Sequence, residues 1–215
     1  MKKFIALSLF VLLTLSCASA FASLHDNRAT IAAQYGEYRF VVDNDNQLWT
    51  KAEWEAKGSK RAAANSYVYY FNRNGLNFQM NVQYEGTKPE SFVRAQRITP
   101  DAGIQIKELK AYLPEIYELA TAPEANVFTT ANDLSRNFRE QGSPVKLAVL
   151  VKKQIKRSST YYTLLAFSIK DEGRLIKDSQ SITPDTYIDE LILERRLIQE
   201  SSDSGWSWQK NNVFE

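Results

Sequence analysis

The only histidine of the chain, His25, could chelate a metal ion at a processed amino terminus. Cleavage of a leader after Ala22 would make Ser23, Leu24 and His25 the first three residues. A free amine, two backbone amide nitrogens and the imidazole would then form the square-planar nitrogen set that Cu(II) prefers and that also suits Ni(II). Amino-terminal copper or nickel binding is therefore one hypothesis, and a polar residue in a frayed terminus is the other. Cleavage after Ala20 would place His25 fifth and abolish the site.

A second group of candidate residues combines positive charge with aromatic rings. Its members are Lys152, Lys153, Lys156, Arg157, Tyr161, Tyr162, Trp206 and Trp208. The charges could meet anionic lipid headgroups or an acidic polymer, and the rings, with Tyr69, Tyr70 and Phe71, could stack on a sugar or a peptide. Lysines also protect strand edges from pairing with other chains, and aromatic rings also cover sheet faces. We treat the group as candidate ligand-binding residues.

Few residues are suited to the common catalytic mechanisms. The chain has one histidine, His25 near the expected mature amino terminus, and its one cysteine would be removed with the leader. The sequence therefore does not indicate Ser-His-Asp or Cys-His catalysis or a zinc site of several histidines. Paired carboxylates remain for glycosidase-type chemistry, and the candidates are Glu53 with Glu55, or Asp189, Glu190 and Glu194. The sequence therefore indicates a non-catalytic protein that binds an unknown protein, peptide or envelope component. A hydrolase of envelope polymers is the alternative.

Residues 43–47, Asp-Asn-Asp-Asn-Gln, place oxygen atoms at alternate positions, as a calcium loop does. Leu48 and Trp54 stand where an EF-hand requires Gly and Glu, so the segment departs from that pattern twice. Asn and Asp are also the residues that favour turns. An ordinary turn is therefore the preferred interpretation.

The first 22 residues are typical of a bacterial secretory signal peptide. Lys2 and Lys3 precede an apolar run over residues 4–15, and small residues follow up to Ala20 and Ala22. This order of a basic, an apolar and a small-residue region marks a cleaved leader, and the apolar run is too short to span a membrane. We expect an exported protein, either periplasmic or secreted.

Loss of the leader changes the cysteine content and the charge. Cys17 is the only cysteine, so the mature protein would have no disulfide and no thiol nucleophile. A lipid anchor at Cys17 is disfavoured because Leu15 stands where a small residue is expected. Removing Lys2 and Lys3 from the 27 basic residues leaves as many as the 25 acidic ones. A neutral chain does not indicate nucleic-acid binding, which usually needs a basic excess.

Two stretches of the chain alternate apolar and polar residues as half-buried strands do. Residues 145–182 divide into three such runs, which predicts a three-stranded antiparallel meander. Asn74 and Gly75 separate an aromatic run from an alternating run, and an Asn-Gly pair in that position predicts a β-hairpin. Thr50 and Glu53 have the spacing of a capping box, which predicts a short helix.

Helices are predicted between the two groups of strands. Pro89 and Pro100 lie at the openings of two helical segments, and Pro114 kinks or divides the second of them. Thr129 or Thr130 is expected to cap a further helix that extends to residue 140. These segments would supply the apolar faces that cover the sheet.

A last helix is predicted directly after the meander. Thr183 can cap it and Pro184 suits its first turn, and the apolar residues at helical spacing are Ile188, Leu191, Ile192 and Ile198. The whole pattern predicts an α+β fold, in which a mainly antiparallel sheet of an N-terminal hairpin and a C-terminal three-stranded meander is covered by helices. We expect residues 23–215 to form a single domain, with a subdivision near residues 86–99 as the alternative.

We predict that protein recovered from the envelope fraction of a bacterial host begins at Phe21 or at Ser23, because both positions follow small residues in an A-x-A pattern. Intact-mass spectrometry distinguishes the two. A start at Ser23 permits the copper site and a start at Phe21 removes it. A mass that still includes Met1 would contradict export, and a heavier, lipid-modified species that begins at Cys17 would contradict both cleavage sites.

Overall fold

The computed structural model of the chain describes residues 24, 26–58, 63–123, 125–130, 146–156, 159–170, 182–197 and 213–214. The strands are β1 (Phe40–Asp43), β2 (Leu48–Thr50), β3 (Ala64–Arg73), β4 (Leu76–Tyr84), β5 (Val93–Pro100), β6 (Ile104–Gln105), β7 (Ala125–Thr130), β8 (Lys146–Lys156), β9 (Ser159–Lys170) and β10 (Tyr187–Leu197). The helices are α1 (Arg28–Tyr35), α2 (Lys51–Ala56), α3 (Leu109–Tyr112) and α4 (Pro114–Ala120), and a 3-10 turn covers Ile106–Glu108.

The strands form one antiparallel sheet of ten strands, in the order β2-β1-β3-β4-β5-β10-β9-β8-β7, with β6 pairing to β10 beside this path. Together with the helices, this sheet confirms the predicted α+β class. β10 lies between β5 and β9, so it joins the strands from the first half of the chain to those of the second. Strands from both sides of residues 86–99 therefore belong to the same sheet.

One face of the sheet, called the inner face here, carries the core. Met80 pairs with Ile98, Ile98 with Leu191, and Leu191 with Phe167, which makes a row across four strands. All four side chains are buried. Because side chains alternate between the two faces of a strand, every second residue of each strand lies on the inner face.

The helices contact the inner face through aromatic rings. In α1, the Tyr35 ring lies 4.8 Å from that of Phe71, and in α3 the Tyr112 ring lies 6.5 Å from that of Phe78. Edge-on and tilted pairs at such distances contribute beyond their buried area. From the other end of the chain, Phe214 is buried and its ring lies 5.7 Å from that of Phe167.

The helix predicted after Thr183 is wrong, because Tyr187–Leu197 is strand β10. Its pairing with β9 shifts register between Ile188 and Glu190, which marks a β-bulge. A bulge adds one residue to a strand, so Ile188 and Leu191 both lie on the inner face although three positions separate them. That spacing imitates a helix in the sequence. Thr183 and Thr186 instead close a turn, in which the backbone N–H of Thr186 donates to the Thr183 carbonyl at 2.9 Å.

Two further helix predictions are wrong, because the structure has strands in these places. The segment expected to turn helical after Pro89 is β5, and Thr129 and Thr130 end β7. In β5, the buried Ala95 and Ile98 pair with β4 and β10, so tertiary pairing on both sides outweighs local helix signals. The remaining part of the helix predicted up to residue 140, and the meander's third run up to residue 181, lie outside the described residues.

The elements that depend on neighbouring residues follow the sequence. Thr50 and Glu53 form the predicted capping box at the start of α2, and Pro114 occupies the first turn of α4. β3 and β4 pair across Asn74 and Gly75, whose φ values are 51° and 85°. Positive φ at both positions is what the two-residue hairpin turn requires, and Asn-Gly adopts it at least cost.

We predict that Gly75→Ala lowers the free energy of unfolding by about 1 kcal/mol, because a side chain strains the left-handed backbone at this position. Urea denaturation measures the change. Gly103→Ala is the matched control, since its Cβ would lie at an ordinary 3.4 Å from the Ile188 carbonyl oxygen and its φ is not positive. Equal losses in the two variants would contradict the strain argument.

Candidate functional site

Strand β4 separates an apolar side from a side made of amides. Its inner-face residues are buried, and they are Phe78, Met80, Val82 and Tyr84. The positions between them carry only carboxamide side chains on the opposite, outer face, and they are Asn77, Gln79, Asn81 and Gln83. β4 pairs with β3 on one side and with β5 on the other, so its backbone groups are engaged in the sheet. Any contact with a ligand on this face must therefore come from side chains.

The amides nearest the Asn74–Gly75 turn are hydrogen-bonded in a row that runs from β3 through β4 to Asp101, the residue after β5. Asn72 Nδ2 donates to Asn77 Oδ1 at 2.8 Å, and Asn77 Nδ2 donates to Asp101 Oδ2 at 3.0 Å. A carboxamide has two N–H donors and an oxygen with two lone pairs. Each amide that is held in place by these bonds therefore keeps further donors and acceptors for a ligand.

Tyr70 completes this part of the outer face. Its side chain is 40% exposed, and its hydroxyl donates to Gln79 Oε1 at 2.9 Å. The ring lies 6.2 Å from that of Phe40 in an edge-on arrangement, with the Arg39 guanidinium 6.0 Å from its centroid. The four exposed residues Tyr70, Asn72, Asn77 and Gln79 are called the amide–tyrosine surface below.

The aromatic run in β3 divides between the two faces. Tyr69 is fully buried, and Phe71 packs between the rings of Tyr35 and Phe78 at 4.8 and 5.0 Å. Only Tyr70 of these three consecutive aromatic residues is exposed at the surface. The alternation of a strand thus separates residues that are adjacent in the sequence.

The predicted basic and aromatic group lies on the β8–β9 hairpin as far as it is described. Lys152 pairs with Tyr162 and Lys153 with Tyr161, and a register shift separates Gln154 from Lys156. Arg157, Trp206 and Trp208 lie outside the described residues. Ligand binding by this group stays a prediction.

The same lysines coincide with a change in the pairing of β8. β7 pairs with residues 146–151 of β8, and the pairing ends where Ala125, the first residue of β7, lies opposite Val151. In the part of the chain that the structure describes, no strand continues this pairing along positions 152–156. An unpaired strand edge invites association with other chains, and lysines counteract it. Edge protection by these lysines stays an alternative interpretation beside ligand binding.

The predicted amino-terminal metal site is described only at its middle residue. Leu24 is 6% exposed and belongs to the core, whereas Ser23 and His25 lie outside the described residues. Two residues further on, the Asp26 carbonyl accepts a hydrogen bond from the Val93 N–H at 2.8 Å, which fixes the chain beside β5. Copper or nickel binding stays a prediction. Among the described residues, no three side chains of the His, Cys, Asp and Glu types group closely enough to hold a metal ion.

Asp43 organises a turn rather than a calcium loop. Its Oδ1 accepts from the backbone N–H groups of Asp45 and Gln47 at 3.0 and 2.9 Å, and its Oδ2 accepts from Trp49 Nε1 at 2.8 Å. Both carboxylate oxygens are thus engaged by the protein. The hydrogen bond from Trp49, followed by that from Gln47, lowers the pKa of Asp43 below its ordinary value. The Lys57 ammonium lies 3.2 Å from the centroid of the Trp49 ring and secures the other side of the indole.

Three of the carboxylates considered for hydrolysis, Glu53, Glu55 and Glu190, have partners in a helix cap or an ion pair. Glu53 caps α2, and the hydrogen bond from the Thr50 side chain lowers its pKa. Glu55 lies 3.8 Å from Lys51, and Glu190 lies 3.2 Å from Arg97. The partnered carboxylates of this set therefore contribute to capping and ion pairing.

A buried tyrosine pair lies beneath α1. The hydroxyl oxygens of Tyr69 and Tyr84 lie 3.1 Å apart and share a hydrogen bond. Burial raises the pKa of Tyr69 to about 12 and also raises the pKa of Tyr84, so both hydroxyls keep their protons at physiological pH. The Arg28 guanidinium lies 4.0 Å from the Tyr67 ring centroid and 5.5 Å from that of Tyr84. This cluster fastens α1 to the inner face.

Comparison with known protein families, with curated proteins and with solved structures gives no match for this chain. Of the helices that are described, none has the length and apolar composition needed to cross a lipid bilayer. Sequence reasoning missed the amide–tyrosine surface, although the alternation of Asn and Gln in residues 76–84 was its signal.

We predict that Asp43→Asn destabilises the protein at neutral pH and flattens the acid side of its stability profile. Because folding lowers the pKa of Asp43, its contribution is present above the ordinary pKa of 3.8 and is lost as the pH falls through the folded value. Urea denaturation measures the profile from about pH 7, where carboxylates are ionised, to about pH 2.5, where they are mostly protonated.

The control for this prediction is Asp45→Asn, since Asp45 is an exposed carboxylate in the same turn. Glu53 loses its contribution in the same acid range and does so in all three proteins, so the difference between variants isolates Asp43. A profile of Asp43→Asn that runs parallel to the wild type would show that the carboxylate charge does not stabilise the turn.

Proposed function

We propose that this protein is exported by a bacterial secretory route, to the periplasm or beyond, and binds an envelope component there without a catalytic centre of its own. The observation that carries the proposal is the amide–tyrosine surface. An exposed ring and three exposed amides lie together on strands that the core holds rigid. Binding sites gain affinity when their polar groups are positioned before the ligand arrives.

Export is supported by the amino-terminal segment. Its order of basic, apolar and small residues is typical of a cleaved leader. Leu24 and Asp26 already belong to the folded protein, because Leu24 is buried and the Asp26 carbonyl accepts a hydrogen bond from Val93. Cleavage after either Ala20 or Ala22 would preserve all of these contacts.

A binding function is supported by the state of Glu53 and Glu190, two of the carboxylates considered for hydrolysis. A general acid for glycoside cleavage needs a carboxyl group whose pKa is raised. Hydrogen bonds from Thr50 instead lower the pKa of Glu53. Glu190 forms an ion pair with Arg97 at 3.2 Å, which joins β10 to β5.

We predict that the purified mature protein co-sediments with insoluble bacterial envelope material through the amide–tyrosine surface. Tyr70→Ala removes the exposed ring and Gln79→Ala removes its hydrogen-bond partner. Each should weaken the apparent affinity on the order of tenfold, the effect of truncating a central contact of a binding site. Quantifying the protein in pellet and supernatant over a range of envelope concentrations measures this.

The matched controls lie at the other end of β4. Phe92→Ala removes a ring that is 49% exposed in the β4–β5 connection, and Gln47→Ala removes an exposed amide in the β1–β2 turn. Circular dichroism confirms that all variants are folded. A wild-type protein that stays in the supernatant, or a Tyr70→Ala variant that sediments as well as the wild type, would refute the proposal.

A further inference from the structure

We infer that the ligand of the amide–tyrosine surface is an electrically neutral, hydroxyl-rich glycan. This inference rests on the binding function proposed above and adds the chemical class of the ligand. The charge of the surface, its hydrogen-bonding groups, its exposed ring and its position on the sheet all favour such a ligand.

The surface carries no formal charge. Tyr70, Asn72, Asn77 and Gln79 are all uncharged at physiological pH. Arg39 and Asp101, which contact Tyr70 and Asn77 at the margin of the surface, are of opposite sign. An anionic polymer would need a cluster of positive charge to offset its desolvation, and a neutral ligand does not.

The hydrogen-bonding groups suit hydroxyls. A hydroxyl both donates and accepts, and so does each carboxamide. Gln79 accepts from Tyr70 through Oε1, which orients its Nε2 group as a donor. Asn72 and Asn77 are oriented by their mutual bond and by Asp101. Bound in this way, the amides present donors and acceptors side by side, as a chain of hydroxyl groups requires.

Tyr70 offers the apolar contact that such a ligand also needs. A sugar ring has C–H faces in addition to hydroxyls, and the face of an aromatic ring is a complementary apolar surface with a polar edge. The hydroxyl bond to Gln79 and the Phe40 ring at 6.2 Å restrain the tyrosine. Little side-chain freedom is therefore lost on binding.

The position on the sheet favours a glycan over a peptide. An extended peptide typically binds by adding a strand to a free sheet edge through backbone hydrogen bonds. The amide–tyrosine surface lies on the face of β3 and β4, and β4 is paired on both sides at Gln79, with Tyr70 of β3 and with Thr99 of β5. The pairing of β3 with β1 covers Ala64 to Val68. Strands are about 4.8 Å apart and alternate residues about 6.8 Å apart, so the groups form a two-dimensional patch that a short oligosaccharide can cover.

The test is affinity electrophoresis of the mature full-length protein in native gels. The gels contain dextran, mannan, hydroxyethyl cellulose or glycol chitin as neutral polymers, or dextran sulfate as the anionic one. We expect at least one neutral polymer to retard the wild type, with an effect that persists in added salt because no charges are screened. Tyr70→Ala and Gln79→Ala should require on the order of tenfold more polymer for the same retardation. Phe92→Ala and Gln47→Ala should behave as the wild type.

Three results would overturn the inference. They are no retardation by any of the neutral polymers, retardation by dextran sulfate alone, and retardation that Tyr70→Ala leaves unchanged. Co-sedimentation with envelope material separates these failures from failure of the proposed function. A protein that sediments in a Tyr70-dependent manner but ignores the neutral polymers binds another class of ligand, whereas one that does neither lacks the binding function itself.

Discussion

The sheet depends on the pairing of β10 with β5 on one side and β9 on the other. β5 ends at Pro100 and β10 begins at Tyr187, so this pairing brings together residues that are distant in the chain. Bringing these residues together costs loop-closure entropy, which burial of apolar side chains must offset. The row from Met80 to Phe167 provides this burial, because every side chain in it is buried. Since β10 completes that row, the rigidity of the outer face of β3 and β4 follows from contacts made on the inner face.

The sequence allowed prediction of elements whose causes are local. The Asn74–Gly75 turn, the Thr50–Glu53 capping box and the helix start at Pro114 each depend on a few neighbouring residues. β10 was mistaken for a helix because a bulge gives Ile188 and Leu191 a helical spacing. Which strands pair with β10 is decided by distant residues, and a single sequence contains no direct signal for that choice.

The candidate surface shows the same division between local and long-range information. The alternation of Asn and Gln along β4 is visible in the sequence and predicts one polar face. That Tyr70 lies beside Gln79 follows from the hairpin register, and the approach of Asp101 to Asn77 follows from the pairing of β4 with β5. The ring of Tyr70 was included in a predicted stacking platform, but its neighbour Tyr69 belongs to the buried pair with Tyr84.

The two faces of β4 explain why a polar surface of this kind can be specific. In solution, isolated amides rotate freely, and fixing them costs entropy that weakens binding. Here Phe78 and the other inner-face residues hold the backbone, and bonds among Asn72, Asn77 and Asp101 hold the side chains. Because folding has already restricted these side chains, less conformational entropy would be lost on binding, and weak contacts to a neutral ligand could give useful affinity. A surface without formal charge also discriminates against ions, since it leaves their desolvation uncompensated.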